Sequence, residues 1–368
     1  MKILYDHQIF GTQRFGGISR YFFELANHLA SAEQGIVECR ISSPLYISEY
    51  FRHAKPELKI TGIAAPAIPR IGRIYSTINK LLAPLTLGDW HPDIVHETYY
   101  SPKSVAPQGS RIVLTVYDMI HELYPHYFPT RDATHKFKKI AVDRADHIIC
   151  ISENTQQDLI RILGVPAEKT TVVHLGFALT QDNTAKLPVK NKPFLLYVGS
   201  RGGYKNFERL LTAYASRKDL RDQYDLLAFG GGQFNAHEHD LIHRFNLSEA
   251  QVRHEGGNDE MLSALYKQAA IFVYPSLYEG FGIPPLEAMG FDCPVVCSNT
   301  SSILEVVGNA AVHFDPLEAD SIADALVALS NDSALQKDLI RRGRKRVEQF
   351  SWHKCSMQTL DVYQQVLI

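Results

Sequence analysis

Three absences narrow the classes of protein to which this chain can belong. Its 368 residues include only five cysteines, an odd and scattered set that does not predict a disulfide framework. No stretch approaches the roughly 20 uninterrupted apolar residues that a membrane-spanning helix needs. The formal net charge is -2, whereas general nucleic-acid binders carry a large basic excess that neutralises phosphates. We therefore expect a soluble globular protein with no nucleic-acid partner.

Signals for export and for metal binding are also missing. The N-terminal stretch MKILYDHQIFG has neither the charged region nor the long apolar region of a signal peptide, so we expect a cytoplasmic protein. No Asp-x-Asp occurs, and no two histidines lie at ligand spacing beside a carboxylate on a convincing helix. Cys293 and Cys297 flank an apolar Pro-Val-Val run, and we interpret them as core residues. The sequence predicts no metal site and no cofactor.

Short apolar runs alternate with helical patterns along the whole chain. The runs are continuous rather than alternating, which is typical of parallel strands buried on both faces. Predicted strands lie in KILYD, IVECRISS, DIVHE, RIVLTVYD and HIICIS, and then in FLLYVGS, DLLAFGGG, AAIFVYPS and CPVVCS. Helical patterns such as SRYFFELANHLA, ENTQQDLIRILG and NFERLLTAYAS fall between them. This order predicts an α/β fold with two doubly wound, Rossmann-like domains.

A polar segment without periodicity, Thr180 to Pro193, marks the expected boundary between the domains. We assign 1–180 to an N-terminal domain and 190–351 to a C-terminal domain. Ligands of open α/β sheets bind at the carboxyl ends of the strands, so two facing sheets would form a site in the cleft between them. Residues that directly follow strands are therefore the candidates for function.

The most informative segment is YEGFGIPPLEAM, which follows the strand-like run IFVYPS. Gly280 and Gly282 allow a close backbone approach to a ligand, and the double proline can begin a helix because the first turn needs no N–H donor. Glu287 would then lie in the first helical turn. Glu279 and Glu287 can both accept hydrogen bonds from the hydroxyls of one polar ligand. Alternatively, both carboxylates simply complement the positive N-terminus of the helix.

The spacing Glu279-x7-Glu287, within PSLYEGFGIPPLEAM, resembles the signature of family 4 retaining glycosyltransferases with the GT-B fold. The similarity extends over nearly the whole chain. It implies two Rossmann-like domains facing across a cleft, with the C-terminal helix 352–368 crossing back to the first domain. It also implies that Glu279 contacts the transferred sugar of a nucleotide-sugar donor and that Glu287 holds the ribose. The sugar hydroxyls would be bound by the backbone of Gly280, Phe281, Gly282 and Ile283.

Two further segments carry candidate phosphate ligands. In YVGSRGGYKNFERLL, Arg201 and Lys205 lie in a turn after a strand, where two cations can stabilise a diphosphate leaving group. Taken alone, they are more simply solvated surface charges, but the resemblance implies that they bind the diphosphate. Gly16 and Gly17 precede a helix, whose N–H groups can bind an anion. A Gly-Gly pair is more often a plain turn, but the family has a similar loop that closes on the donor phosphate.

The segment LTVYDMIHELYPHYF places Asp118 at the carboxyl end of a strand, with His121 just beyond. Many members of the family that it resembles carry a His-Asp pair here, near the acceptor hydroxyl. This chain has Tyr117 before Asp118, and a tyrosine cannot act as a base near neutral pH without a large pKa shift. We assign Tyr117, Asp118 and His121 to the acceptor side, with Asp118 positioning or deprotonating the acceptor. An aspartate that caps the segment MIHEL is the competing interpretation.

Two stretches are candidates for contact with a lipid-linked acceptor or with the inner face of a membrane. RIGRIYSTINKLLAPL, Arg70 to Leu85, has three cations and a stripe of aliphatic residues at helical spacing, namely Ile71, Ile74, Ile78, Leu81 and Leu82. The favoured interpretation is nevertheless a helix whose apolar stripe faces the core. HKFKKIAVDR, His135 to Arg144, adds local positive charge.

The motifs and the resemblance together predict a metal-independent retaining hexosyltransferase. Its catalytic residues would be Asp118, Arg201, Lys205 and Glu279. GDP-mannose is the first guess for the donor, with UDP and dTDP sugars close behind. The acceptor would be a saccharide or lipid-linked saccharide in O-antigen or other surface polysaccharide synthesis, by analogy with bacterial mannosyltransferases. Alternatives are a nucleotide-sugar epimerase or a glycogen-type synthase of similar fold, and a non-catalytic two-domain sugar-binding protein.

Overall fold

The structure of the protein, a computed structural model, describes residues 1–32, 37–68, 71–178 and 192–368 and divides the chain into two compact units. The first unit contains Met1–Gly176 and Phe350–Ile368, and the second contains Phe177–Gln349. The expected linker, Thr180 to Pro193, lies outside the described residues apart from its last two positions. Of the helices in these ranges, none combines the length and the apolar character that crossing a bilayer requires.

The first unit is built on a parallel sheet of seven strands within the described residues. These are β1 (Lys2–Tyr5), β2 (Glu38–Tyr46), β3 (Lys59–Ala64), β4 (Ile94–Glu97), β5 (Arg111–Val116), β6 (His147–Cys150) and β7 (Thr170–Val172). Their order across the sheet is β3-β2-β1-β4-β5-β6-β7. The helices that accompany them are α1 (Gly17–Ala32), α2 (Gly72–Leu87), α3 (Ile120–Leu123), α4 (Thr134–Arg144) and α5 (Glu153–Leu163).

The second unit has a parallel sheet of six strands in the described part of the chain, in the order β10-β9-β8-β11-β12-β13. The strands are β8 (Phe194–Val198), β9 (Asp225–Phe229), β10 (Val252–Glu255), β11 (Ile271–Tyr274), β12 (Val295–Ser298) and β13 (Val312–Phe314). The helices are α6 (Phe207–Ser216), α7 (Lys218–Gln223), α8 (Ala236–Arg244), α9 (Asp259–Gln268), α10 (Ile283–Gly290), α11 (Ser302–Val307), α12 (Ala319–Asn331) and α13 (Ser333–Val347). Aliphatic and aromatic side chains of the strands and helices pack into one core.

The chain ends in α14 (Trp352–Val366), which belongs to the first unit. The Tyr363 hydroxyl lies 2.6 Å from Nδ1 of His96 and 3.2 Å from the Tyr5 hydroxyl, and Nε2 of His96 lies 2.8 Å from Oγ1 of Thr115. All four side chains are buried. Burial lowers the pKa of His96 to about 3. A neutral imidazole therefore joins the last helix to the centre of the first sheet.

The strands β3, β7, β10 and β13 were missed by the sequence analysis, and all four lie at sheet edges. An edge strand has one partner and is partly solvated, so it need not be a continuous apolar run. The edge strand β3 shows this, since all six of its residues are exposed or half-buried. The hydrophobic pattern therefore detects the centre of each sheet and not its margins.

The face that α2 presents to the protein differs from the expectation. Tyr75, Asn79 and Ala83 are buried, whereas Leu81 and Leu85 point outward, 71% and 76% exposed. Asn79 accepts from the Leu45 N–H at 2.7 Å and donates to the Leu45 carbonyl at 2.8 Å. These bonds satisfy the backbone of β2 where its register with β3 shifts. The prediction that the aliphatic stripe faces the core is therefore wrong. The side of the helix that carries Asn79 faces the sheet so that its amide can bond to the Leu45 backbone, and the opposite side, with Leu81 and Leu85, faces outward.

Candidate functional site

Strand order reverses once in each described sheet, between β1 and β4 and between β8 and β11. On the two sides of such a point the connections leave toward opposite faces, which opens a crevice at the carboxyl ends of the strands. The loop after β8 carries Arg201 and Lys205, and the loop after β11 carries Glu279. Gly16 ends the loop after β1, and Gly17 is the first residue of α1. The predicted residues of the second unit thus fall on both sides of its reversal point.

Lys205 and Glu279 form a direct ion pair across this point. The Lys205 Nζ atom lies 2.7 Å from Oε1 of Glu279, and both side chains are largely shielded from solvent. The same ammonium lies 5.2 Å from the ring centre of Tyr204 and 5.9 Å from that of Tyr274. Burial raises the pKa of Tyr274 well above its ordinary value, and the neighbouring Glu279 raises it further. The pair therefore combines one positive and one negative group in a shielded, aromatic setting where electrostatic forces are strong.

The backbone of the Glu279 loop is held by two neighbouring segments. The Leu277 N–H donates to the Tyr204 carbonyl at 2.8 Å, and the Glu279 N–H donates to Oγ of Ser301 at 3.0 Å. The Ser302 hydroxyl lies 2.7 Å from the Glu279 carbonyl and 2.9 Å from that of Phe281. Ser301 and Ser302 were not predicted, although they follow β12 and the rule about strand ends applies to them. These contacts fix the loop on which the carboxylate sits.

Helix α10 places the second glutamate. It begins at Ile283 after Gly282, whose φ of 117° is a conformation that favours glycine. Gly280, Phe281 and Gly282 are buried and Ile283 is half-buried. Glu287 is the fifth helical residue and lies in the second turn, so its predicted position in the first turn is wrong. Its Oε2 accepts a hydrogen bond from the buried Tyr266 hydroxyl at 3.0 Å, which orients the carboxylate.

Arg201 has a different environment from Lys205. Its side chain is only 3% exposed, and Nε lies 2.7 Å from Oε1 of Glu238. Nη1 donates to the Gly230 carbonyl at 2.7 Å, and Nη2 lies 2.9 Å from the carbonyls of Gly232 and Gln233. The three glycines from 230 to 232 all have positive φ, and the guanidinium closes this loop onto the loop after β8. The nitrogen donors of Arg201 already bind Glu238 and the loop carbonyls. Its role as a direct diphosphate ligand stays a prediction.

In the first unit, Asp118 lies in a network around a fully buried lysine. Lys138 donates to the Asp118 carbonyl at 2.8 Å and to Oε2 of Glu122 at 2.7 Å, and its Nζ is 3.8 Å from Oδ1 of Asp118. The same Oδ1 accepts from the Ile120 N–H at 3.0 Å. Asp118 therefore makes the local contact of the competing interpretation while it stays partly exposed. His121 stacks on Phe128, and burial lowers its pKa.

Tyr117 is a structural hydrogen-bond donor. Its hydroxyl donates to the Thr98 carbonyl at 3.2 Å, and burial raises its pKa well above the ordinary value. It therefore cannot replace the missing histidine as a base. Thr98 in turn donates to Oδ1 of Asp6 through both its N–H and its hydroxyl. His7 is buried beside them, and neither ring nitrogen has a partner among the described residues.

Asp6 and His7 are the residues at this end of the first sheet that the sequence analysis missed. They directly follow β1, at the reversal point of the sheet, so their position was the available signal. Burial lowers the pKa of His7, which favours the neutral ring. A buried imidazole with free nitrogens can donate to one polar ligand atom and accept from another.

The two N-terminal glycines serve different purposes. Helix α1 begins at Gly17, and a Cβ atom at Gly17 would meet nothing within 4 Å. At Gly16 a Cβ would lie 2.3 Å from Oε1 of Gln13, an atom that accepts from the Ser19 N–H at 3.3 Å. Gly16 therefore gives Gln13 access to the first turn of the helix. Gly17 leaves open space at the helix N-terminus, where an anion could approach.

The described residues hold no obvious metal centre. Across 1–32, 37–68, 71–178 and 192–368, no three His, Cys, Asp or Glu side chains form a group that could hold a metal ion. All five cysteines are free and buried. Burial raises the pKa of Cys39 and of Cys150 to about 12, which disfavours the thiolate.

Comparison with known proteins identifies the family. A model described as Glycosyltransferase Family 4 matches residues 15–181, and one described as Glycosyl transferases group 1 matches residues 180–346. The O-antigen chain mannosyltransferase B of Escherichia coli is 30% identical, over 94% of this chain and 95% of that relative. The chain belongs to the family 4 glycosyltransferases. The resemblance drawn from the Glu279-x7-Glu287 motif is thereby confirmed.

Solved structures of similar shape support the fold assignment for this glycosyltransferase. Sucrose-phosphate synthase from Thermosynechococcus elongatus has a TM-score of 0.79 and 22% identity, covering 99% of this chain and 98% of its own. HepE from Anabaena, in complex with UDP and glucose, has a TM-score of 0.73 and 18% identity, covering 99% of each chain. At these identities the likeness concerns the fold alone. The predicted GT-B class, with two parallel-sheet α/β domains, is confirmed.

Proposed function

We propose that this glycosyltransferase transfers a hexose from a nucleotide diphosphate sugar to a hydroxyl of a saccharide or lipid-linked saccharide. The anomeric configuration is retained, and the product belongs to a surface polysaccharide. Mannose from GDP-mannose is the first choice of donor. The support for this choice is the relationship to the E. coli O-antigen chain mannosyltransferase B, which covers nearly the full length of both chains.

The observation that carries the proposal is the contact of 2.7 Å between Lys205 and Glu279 at the reversal point of the second sheet. A diphosphate needs a cation, and the adjoining sugar needs an acceptor for its hydroxyls. A nucleotide sugar offers both groups within a few bonds of each other. On binding, Lys205 would exchange the carboxylate for phosphate oxygens while Glu279 turned to the sugar hydroxyls, so each charged group keeps a hydrogen-bonding partner.

The proposed reaction is a front-face displacement. The bond between the anomeric carbon and the diphosphate oxygen breaks, and the bond to the acceptor oxygen forms on the same face of the sugar. The acceptor proton moves to an oxygen of the departing diphosphate. Lys205 stabilises the negative charge that develops there, which is the interaction expected to strengthen most in the transition state.

The other residues bind and position the substrates. Glu279 holds the sugar, with the backbone of 280–283 beside it, and Glu287 holds the ribose in the orientation set by Tyr266. The N-terminus of α1 at Gly16 and Gly17 receives a donor phosphate. Asp118 orients the acceptor hydroxyl. In this scheme the diphosphate is neutralised by protein groups and not by a metal ion.

A turnover assay with GDP-, UDP- and dTDP-hexoses tests the proposal. Nucleoside diphosphate release is measured for the wild type and for Lys205→Ala and Glu279→Gln. Lys218→Ala is the matched control, since it removes a lysine from an exposed ion pair of the same unit. We expect GDP-mannose turnover to fall roughly 100-fold or more in the two site variants and to be unchanged in the control. Binding of a donor without any release or transfer would instead favour a sugar-binding protein.

A further inference from the structure

An exposed aromatic side chain stands in the loop between β1 and α1. Phe15 is 65% exposed, whereas Tyr127, the next most exposed phenylalanine, tyrosine or tryptophan in the described ranges, is 40% exposed. Exposed apolar residues are ordinary when they are scattered singly over a surface. Phe15 differs because it directly precedes Gly16 and Gly17, in the loop that follows β1 at the reversal point of the sheet. Such a position is typical of a ligand-binding residue.

The loop that carries Phe15 is fixed to the segment that follows β2. The Ile47 N–H donates to the Phe10 carbonyl at 3.0 Å. Further along, the Glu49 N–H donates to the Arg14 carbonyl at 3.1 Å, and Nη2 of Arg14 lies 3.1 Å from Oε1 of Glu49. Two backbone hydrogen bonds and an ion pair therefore hold the two loops together at the residue next to Phe15.

The ring of Phe15 also has aromatic and charged neighbours. The guanidinium carbon of Arg14 lies 5.4 Å from the centre of the Phe15 ring. The ring of Tyr50, in the short 3₁₀-helix Glu49–His53, is perpendicular to the Phe15 ring, with the two centres 6.0 Å apart. Tyr50 in turn stacks on the buried Phe23 of α1 at 6.1 Å. These contacts restrict the orientation of Phe15 while most of its surface stays open, so a ligand would meet a ring that is already in place.

A fixed aromatic ring beside polar groups suits a sugar. The C–H groups on one face of a pyranose ring are apolar and weakly positive, and the face of a phenylalanine ring is weakly negative. Arg14 and Glu49 offer a donor and an acceptor for the sugar hydroxyls beside that ring. A purely apolar partner would instead cover the Arg14 guanidinium, whose side chain is 58% exposed, and its desolvation is unfavourable. The surroundings of Phe15 therefore favour a saccharide over an apolar ligand.

The order of the strands separates Phe15 from Asp118. Phe15 follows β1 and Asp118 follows β5, and β4 lies between these two strands in the sheet. Neighbouring strands are about 4.8 Å apart, so the two strand ends are separated by roughly 10 Å, more than the width of one pyranose ring. We propose that Phe15, supported by Tyr50, stacks on a sugar ring of the acceptor other than the ring that receives the hexose. This assignment rests on the proposed function, in which the first unit binds a saccharide acceptor at Asp118.

Transfer to acceptors of different length tests the proposal. The rate of transfer from GDP-mannose is measured at varied concentrations of methyl α-mannoside and of α-mannotriose, for the wild type and for Phe15→Ala. Phe15→Tyr is the conservative variant, because it keeps the aromatic ring. Phe137→Ala is the matched control, because it removes another phenylalanine of the first unit that is partly exposed. Thermal unfolding of each variant checks that it is folded.

We expect the wild type to have a lower KM for the trisaccharide than for the monosaccharide. Phe15→Ala should raise the KM for the trisaccharide roughly tenfold, with little change in kcat or in the KM for the monosaccharide. Phe15→Tyr and Phe137→Ala should behave like the wild type. An unchanged KM for the trisaccharide in Phe15→Ala, or an equal rise in KM for both acceptors, would overturn the proposal.

Binding of α-mannotriose without a donor, measured by saturation-transfer NMR, separates this proposal from the proposed function. If the wild type transfers no hexose, the proposed function fails, and the binding experiment still decides on the saccharide site. The site stands if Phe15→Ala binds the trisaccharide roughly tenfold more weakly than the wild type. It is refuted if the two proteins bind the trisaccharide equally well, or if neither binds it.

Discussion

Arg201 and Lys205 lie in the same loop, and the structure predicts that replacing them has different effects. Arg201→Ala should destabilise the second unit, whereas Lys205→Ala should slow turnover sharply with a smaller loss of stability. The reason is that Arg201 binds Glu238 and the carbonyls of the glycine loop, while Lys205 binds Glu279 at the reversal point of the sheet.

The magnitudes follow from the two environments. Removing the Arg201 guanidinium takes the charged partner from the mostly buried Glu238 carboxylate and a donor from the carbonyls of Gly232 and Gln233, and breaking such a pair costs about 3–5 kcal/mol. For a domain of this size the melting temperature would fall by on the order of 10 °C. The Lys205 side chain is 19% exposed against 3% for Arg201, so its loss should cost less, about 1–3 kcal/mol. Its loss from the transition state, however, should slow turnover roughly 100- to 1,000-fold.

The assay combines thermal unfolding with nucleoside diphosphate release for both variants. Arg217→Ala is the control, because Arg217 pairs with Asp219 and Asp324 at the surface of the same unit and its loss should be nearly neutral. Glu238→Gln provides a second perturbation of the Arg201 contact that keeps the size of the side chain. The reasoning is refuted by an Arg201→Ala protein that keeps its melting temperature and loses turnover as Lys205→Ala does. Arg201 would then act on the diphosphate directly.

Three further predictions concern the scaffold of each unit. The pKa of His96 is about 3 in the folded protein and about 6.5 in the unfolded chain, so protonation of the unfolded chain destabilises the fold below pH 6.5. The contribution of His96 to the free energy of unfolding is complete above pH 6.5 and falls by up to about 1.4 kcal/mol per pH unit below it. When the unfolding of the wild type and of His96→Gln is measured between pH 4 and 7, the stability of the variant should fall less steeply with decreasing pH. Tyr363→Phe removes the hydroxyl partner of His96 and should cost about 1–3 kcal/mol in chemical denaturation of the first unit, whereas Tyr127→Phe at the surface should cost nothing measurable. Gly282→Ala forces an L-residue to a φ of 117° and should cost about 1–3 kcal/mol of stability in the second unit. Gly202→Ala is the control, because Gly202 has an ordinary negative φ and open space around it. Equal melting temperatures for the two variants would contradict the backbone argument.

Sequence patterns predicted the centres of both sheets because those strands are buried on two faces and must be apolar throughout. They did not predict β3, β7, β10 and β13, since an edge strand can be polar and still pair with one neighbour. They also assigned the wrong face of α2 to the core. A hydrophobic stripe usually marks the buried face, but here the buried face is chosen by Asn79, which serves a register shift in another element.

At the candidate site, position along the chain was more informative than residue type. The rule that ligands bind after strands selected Arg201, Lys205, Asp118 and Glu279, and the structure puts each of them in the segment that follows a strand. It could not distinguish Arg201 from Lys205, because which acceptor each cation meets depends on Glu238 and Glu279, far away in sequence. The supporting contacts of Tyr266, Ser301 and Ser302 are equally non-local.

The measurement that tests the account most directly is product formation from GDP-mannose and a saccharide acceptor. It is made with the wild type, Lys205→Ala and Glu279→Gln, and the anomeric configuration of the product is determined by NMR. The account predicts an α-linked mannoside from the α-linked donor, and a loss of roughly 100-fold or more in rate for both variants. A product of inverted configuration, or variants that transfer mannose at the wild-type rate, would contradict it.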